Sequence, residues 1–414
     1  MCVLMTAYAI PAVANAQSTA EWTILVYLDG DNNLDPDSVG DIEEMEMVGS
    51  TDKVNVLVLW DRYYEPAYLY KVVEGDLELV DGLEVNGMPV NGEEISMADW
   101  RVLEAFVDFG KELMPAEHYM LDLWDHGSAY GYTCWDDHAE APWNESTARA
   151  ISLSEVVNSL EGFGNMDILA YDGCTIGMVE IAYELNLIQS ERDVSIQYLV
   201  ASEEYIPNSG FPYNHVLEEM NDMDLSDVGA VAMMLADVYA ACYSPHGQAK
   251  GSPTVNLSVV DLAEIGPIGA AIKDLVDMLI EGLSEDFDYY RDMIAEARGE
   301  ANLGWSLNGW DQRIDVTTLL MTISALAEDE ELSALADDAV DVILDAVYVA
   351  NTPALEDQSA YGLGVWFPVS FKSLGNANAG YRTLTLYTDA FAFADDAGWM
   401  EFLYAFWGKA PKAK

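Results

Sequence analysis

Six runs of strand length are almost unbroken in apolar side chains: Trp22 to Leu28, Val54 to Trp60, Tyr119 to Trp124, Asp167 to Tyr171, Ile196 to Ala201 and Val255 to Val260. A strand covered on one face alternates apolar and polar residues. A run apolar at nearly every position needs cover on both faces, the condition of a parallel strand inside an α/β fold. The segments between the runs supply the covers. Asp35-Pro36 offers a cap and an N1 proline, Ser96 with Asp99 opens a second helix, and Thr175 to Gln189 and Asp227 to Tyr243 carry apolar residues at three-and-four spacing. Strand and helix in alternation predict a doubly wound, mostly parallel sheet in an α/β/α sandwich. Tyr68 to Val73 and Leu77 to Val80, joined at Gly75, read as a β-hairpin that leaves the sheet after the second strand. Beyond residue 260 the pattern turns helical: Asp261 to Gly282, Ile314 to Ala327, Glu331 to Val349 and a last helix near Asp389 to Trp407. One late strand, Gly362 to Phe367, is expected to return to a sheet edge. The division is 17–260 for the sheet domain and 261–414 for a mainly helical C-terminal region.

The charge excludes one large class of function. With 73 acidic against 17 basic residues, the net charge is −56, and phosphate contacts need clustered Lys and Arg. Half of the residues are hydrophobic, 51%, so the acidity belongs to the surface of a packed chain and is no sign of disorder. No apolar run is long enough to span a bilayer. A dense acidic surface suits life at high salt. At molar ionic strength the Debye length is about 3 Å, so long-range steering vanishes and any preference for basic ligands must come from a few acids inside a pocket.

Residues 1–16 read as a signal peptide. Val3 to Ala14 is mostly apolar, and Ala14-Asn15-Ala16 before Gln17 has the small-x-small pattern of a cleavage site. The usual positive n-region is missing, as in a truncated start. The expected location is secreted or cell envelope. Removal of Cys2 leaves Cys134, Cys174 and Cys242, an odd number, so at least one thiol is unpaired or bridged to another molecule. Whether Cys134 and Cys242 form a bridge stays open.

Sites in doubly wound sheets lie beyond the carboxyl ends of the strands. Those ends carry Asp29, Asp61, His126, Cys174 and Ser202 to Glu204. His126-Gly127 follows one strand, and Cys174 follows another, 48 residues downstream. A thiol just before a helix starting at Thr175 would lie in the field of that helix N-terminus, which favours the thiolate. A neutral imidazole on the neighbouring strand end can take the thiol proton and later protonate a leaving amine. The N–H groups of Gly127 and Cys174 can bind an oxyanion. The plainer reading is a buried small hydrophobe beside a hydrogen-bonded histidine. Gly173-Cys174-Thr-Ile-Gly177 also has the look of an α/β-hydrolase nucleophile turn, but that fold places its histidine after the nucleophile.

Trp124-Asp-His126-Gly127 and Asp172-Gly-Cys174 resemble the histidine and cysteine blocks of the clostripain family of cysteine endopeptidases, relatives of caspases and gingipains. Three further pieces match in order: Ile24-Leu-Val-Tyr-Leu-Asp-Gly-Asp31-Asn-Asn-Leu34, Ser202-Glu-Glu-Tyr-Ile-Pro207-Asn-Ser-Gly210-Phe-Pro-Tyr213, and Gly362-Leu-Gly-Val-Trp-Phe-Pro368. Gly173 departs from the family's usual alanine. The resemblance implies a caspase-like fold, peptide or protein substrates, and a dyad of His126 and Cys174. It places Asp172 in the S1 pocket opposite a P1 Arg or Lys. From their position at a strand end, Glu203 or Glu204 are expected to form a second acidic wall. The resemblance also implies self-cleavage between residues 127 and 173, where Arg149 is the only Lys or Arg, so the cut is expected after Arg149, giving light and heavy chains that stay together.

The chemistry needs no cofactor, and the sequence assigns no metal ligand. Asp29-Gly-Asp31-Asn-Asn33-Leu-Asp35-Pro-Asp37 begins like a calcium loop, but Leu34 stands where that loop needs glycine and Gly40 where it needs glutamate. A structural Ca²⁺ remains an expectation, since some clostripain relatives depend on calcium and carboxylates abound. His118, His138, His215 and His246 lack zinc-type spacing and read as structural or surface residues. The competing reading is a catalytically inactive acidic envelope or calcium-binding protein on the same scaffold.

Overall fold

The computed structural model of the chain describes residues 19–129, 131–138, 149–161, 164–192, 194–244, 247, 255–303, 312–352, 360–374 and 377–410. The expected signal peptide and His246 lie outside these residues.

The first strand, Ala20–Gly30, shows why its sequence is apolar nearly throughout. Trp22, Ile24, Val26 and Leu28 enter one core, while Leu25 and Tyr27 enter the other. Nine strands form one sheet in the spatial order 347–351, 256–261, 194–201, 164–172, 116–124, 20–30, 54–62, 65–73, 76–79. The five central strands are parallel. Two antiparallel strands continue the sheet on each side. Helices Asp35–Glu46, Tyr213–Asp222 and Val228–Tyr243 cover one face. Helices Trp100–Leu113, Leu153–Leu160, Val179–Glu191 and Gly266–Glu285 cover the other. The architecture is the doubly wound α/β/α sandwich expected, with a mainly helical C-terminal region. Leu121 and Leu169 from the central strands share a continuous core with Ile272, Leu319, Ile343, Trp366 and Phe402 from that region. No described helix is long and apolar enough to cross a membrane.

Three expectations change. Asn256–Asp261 runs antiparallel to Val194–Ala201. It lies between two strands and under helices on both faces, so its sequence reads like that of a parallel strand. The hairpin does not leave the sheet: Glu65–Val73 pairs with Val54–Arg62 and Asp76–Leu79 pairs with Glu65–Val73, both in the main sheet, with Gly75 at φ +78° in the turn. The late strand stays off the sheet edge. Gly364–Trp366 pairs with Arg313–Asp315 in a separate ribbon, while its Gly364 N–H donates to Gly177 O at 2.8 Å. The edge position goes to Val347–Asn351, which follows directly on helix Glu330–Ala346.

Candidate active site

Register builds the site. Strands Ala116–Trp124 and Gly164–Asp172 are parallel neighbours with Asp172 opposite Trp124, and the Asp125 N–H continues the ladder to Asp172 O at 3.3 Å. Two positions past that pair, His126 and Cys174 emerge at the same carboxyl rim. Both line one cavity of about 370 Å³, together with Gly127, Asp172, Tyr205 and Ile206. A Cβ on Gly127 would lie 2.1 Å from the Cys174 carbonyl oxygen and 2.8 Å from the Cys174 nitrogen. Glycine is thus needed for the two rim backbones to meet at all, which goes beyond leaving room for a ligand.

The imidazole is half-buried. Its Nε2 lies 3.0 Å from Asn33 Oδ1, and the His126 carbonyl accepts from Thr133 Oγ1 at 3.3 Å. With an amide oxygen as partner, Nε2 carries the proton and Nδ1 is left as an acceptor. Burial holds the His126 pKa below its usual value, against the opposing pull of Asp137. The ring is therefore neutral at neutral pH.

The thiol does not sit at a helix N-terminus. The helix after it begins at Val179, and Thr175 adopts φ +62° in an intervening turn. Burial instead pushes the Cys174 pKa up; the Ile206 carbonyl, 3.7 Å from Sγ, and the charge of Arg313 act in the other direction. Resting imidazole and thiol are both neutral, an arrangement in which the base must remove the proton as the sulfur attacks.

Asp172 forms part of the cavity wall and is buried. Its Oδ2 accepts from Phe211 N at 2.6 Å and Tyr213 OH at 3.1 Å, and its own N–H donates to Asp122 Oδ1 at 3.2 Å. Asp41 approaches from behind, accepting from Trp124 Nε1 at 2.6 Å. Gly210, at φ +52°, leaves the space where a Cβ would lie 2.5 Å from Asp172 Oδ2 and 2.9 Å from Asp41 Oδ2. Burial, and next the neighbouring Asp122, raises the Asp172 carboxyl well above its ordinary range; burial, and next Asp172, pushes Asp41 up to about 10. Like charges this close cannot all ionise without a cation among them.

Glu203 and Glu204 do not line this cavity, contrary to expectation. Arg313, fully buried, claims them: its Nε donates to the Glu203 carbonyl at 2.6 Å and its Nη2 to Glu204 Oε2 at 3.3 Å. Glu203 Oε1 accepts from Asn256 Nδ2 at 2.7 Å and Gly362 N at 2.8 Å. Tyr205, next in the chain, is the residue that reaches the cavity. Arg149 is exposed, with its guanidinium 3.5 Å from Asp137, and residues 139–148 before it lie outside the described residues. Cys134 and Cys242 stand as free thiols. Sequence reading missed Asn33 and Asp41. Asn33 was within view in the Asp29 to Asp37 run; Asp41 carried no signal, since a helix acid reads as solvated.

Comparison with known proteins agrees with this geometry. A family model described as the clostripain family matches residues 26–341. Clostripain of Hathewaya histolytica is 28% identical over 241 residues, 51% of this chain and 44% of clostripain, so the match spans less than half of that protein. A secreted C11 cysteine protease from Bacteroides thetaiotaomicron, solved with an irreversible peptide inhibitor, superposes with a TM-score of 0.62 at 17% identity, covering 92% of this chain and 99% of the other. An inactive zymogen C11 protease from Parabacteroides distasonis gives 0.61 at 19% identity over the same shares. At these identities the two structures establish a shared fold.

Proposed function

This chain belongs to the clostripain family, and from that membership we propose that it is a cysteine endopeptidase working through His126 and Cys174. The observation that carries the reading is the in-register pair of strands that delivers both side chains to one cavity, with Gly127 packed against the Cys174 backbone. His126 Nδ1 takes the thiol proton while Sγ attacks the scissile carbonyl carbon. The oxyanion is met by the N–H groups of Gly127 and Cys174, and the imidazolium then protonates the departing amine. Water, deprotonated by the same ring, frees the acyl group and restores the thiol. Asp172 selects Arg or Lys at P1, a role supported by its shielded carboxyl in the same cavity and by charge-assisted, bidentate pairing with guanidinium.

Replacing Cys174 with alanine is expected to abolish hydrolysis of P1-Arg reporter peptides, by at least about 10³-fold, and to abolish covalent labelling by an arginyl chloromethylketone. Labelling that survives the substitution would remove the dyad and favour an inactive acidic scaffold.

Export is supported by the Ala14-Asn-Ala16 pattern and by the secreted relative. Self-processing after Arg149 is supported by the exposure of that side chain. The expected outcome is a clip after Arg149 in the wild type, giving two chains that co-elute, and an intact mass for both Cys174→Ala and Arg149→Ala. Equal unclipped masses in all three would discard the idea.

A further inference from the structure

The peptidase reading assigns one acid, Asp172, to the pocket that takes the P1 side chain, and leaves a second acid beside it without a part. Asp41 lies on the buried face of helix Asp35–Glu46, in line with Ser38, Ile42 and Met45, where an apolar side chain would pack at no electrostatic cost. No Lys or Arg pairs with Asp41 or Asp172 among the described residues, and the charged groups around them, Asp122 and Glu44, are acids themselves. A buried carboxylate in such company is costly unless a cation or a proton meets it.

The fold brings the two acids to one opening. Gly210 lines the cavity that holds Cys174, and a Cβ there would lie 2.5 Å from Asp172 Oδ2 and 2.9 Å from Asp41 Oδ2. Because position 210 has no side chain, both oxygens face the same space. The backbone at this point is held: Gly210 has φ +52°, its N–H donates to Pro207 O at 2.9 Å, and its carbonyl accepts from Tyr243 OH at 2.8 Å. Hydrogen bonds to the two carboxyls fall on Oδ2 of each, from Trp124 Nε1 to Asp41 and from Phe211 N and Tyr213 OH to Asp172. Oδ1 of each accepts none among the described residues. Trp124, pinned by Asp41, forms part of the cavity wall, an aromatic surface of the kind a planar guanidinium packs against.

A guanidinium carries its N–H donors in a rigid fork, and a bidentate contact with one carboxylate uses only two of them. The others point away from that carboxylate and need acceptors of their own once buried. An ammonium brings all its donors to a single point. Two carboxylates flanking one opening suit the fork and exceed what the point can meet. We propose that Asp41 is a second specificity-determining residue of the P1 pocket, accepting from N–H groups of a P1 arginine that Asp172 leaves unmet. The inference rests on the peptidase reading for the place of P1, and it adds a residue that lies outside the histidine and cysteine blocks. With both acids in reach the pocket prefers arginine to lysine; with Asp172 alone it holds the two about equally.

The test measures kcat/KM for three reporter peptides that differ only at P1: arginine, lysine and norleucine. The full-length parent is expected to favour arginine over lysine by about 10²-fold. Asp41→Asn, whose amide oxygen still accepts from Trp124, should bring that ratio to within about threefold of unity, chiefly through lost arginine hydrolysis. Glu43→Gln removes an exposed charge from the same helix and should keep the ratio. Gly210→Ala fills the space between the acids and should lower arginine hydrolysis more than norleucine hydrolysis. An arginine-to-lysine ratio that survives Asp41→Asn, or equal losses on arginine and norleucine, overturns the role of Asp41. If the parent cleaves none of the three peptides, the peptidase reading itself falls. Calorimetric binding of the same peptides to Cys174→Ala, with and without Asp41→Asn, then still decides the present point: equal discrimination in the two proteins, or no binding, overturns it.

Discussion

Asp172→Asn is expected to lower kcat/KM for P1-Arg peptides by about 10²- to 10³-fold, equal to roughly 3–4 kcal/mol of transition-state binding, while a P1-norleucine peptide changes little. The amide keeps an oxygen for the Phe211 N–H and removes only the charge. The pH profile gives a second readout. Burial and its neighbours hold the Asp172 carboxyl well above its ordinary range, and Asp41 up to about 10, so the pocket without a cation retains protons at neutral pH. A P1 guanidinium must displace one of them. KM for P1-Arg peptides should therefore fall as pH rises through neutrality, and the fall should flatten in Asp172→Asn. Equal losses for arginine and norleucine peptides would make Asp172 a support of the rim and not its selector.

Arg313→Ala carries the largest expected cost in stability. Its guanidinium is fully buried and bonds the Glu203 carbonyl and the Glu204 carboxylate, with the Tyr205 ring 4.9 Å away. Removing one partner of a buried pair leaves the other uncompensated, at about 3–5 kcal/mol. Burial, and next Asp315, already raises the Glu203 carboxyl well above its ordinary range. Denaturant unfolding of the Cys174→Ala background measures the loss, and a change under about 1 kcal/mol would refute it. The same substitution should shift the alkaline limb of thiol alkylation, in the presence of His126, to higher pH, since the Arg313 charge is one of the influences that lower the Cys174 pKa.

The sequence made the central sheet readable because strands buried on both faces leave no polar phase: Trp22 to Leu28 feeds two cores by simple alternation. The same property hid direction. Nothing in Val255 to Val260 separates an antiparallel strand from a parallel one once both faces are covered. The meeting of His126, Gly127, Asp172 and Cys174 at one cavity was legible because strand ends on one rim of such a sheet lie side by side and because their blocks occur in family order. The fate of Glu203 and Glu204 was not, since their partner Arg313 stands more than a hundred residues later in a segment without periodic signal. Helix start was misplaced at Thr175 because a left-handed residue is not announced when it is a threonine.

Thr175 N–H donates to Glu204 O at 3.0 Å, Gly177 N–H to Ser202 O at 2.8 Å, and Gly364 N–H to Gly177 O at 2.8 Å. The segment bearing the sulfur is thus clamped from a distant part of the polypeptide. A shortened version ending near residue 260 would retain His126 and Cys174 yet lose Gly364, Arg313 and half of the shared core, so it makes a poor starting point for a minimal form of the proposed peptidase. Engineering of specificity belongs instead in the Tyr205 to Gly210 stretch, which borders the cavity.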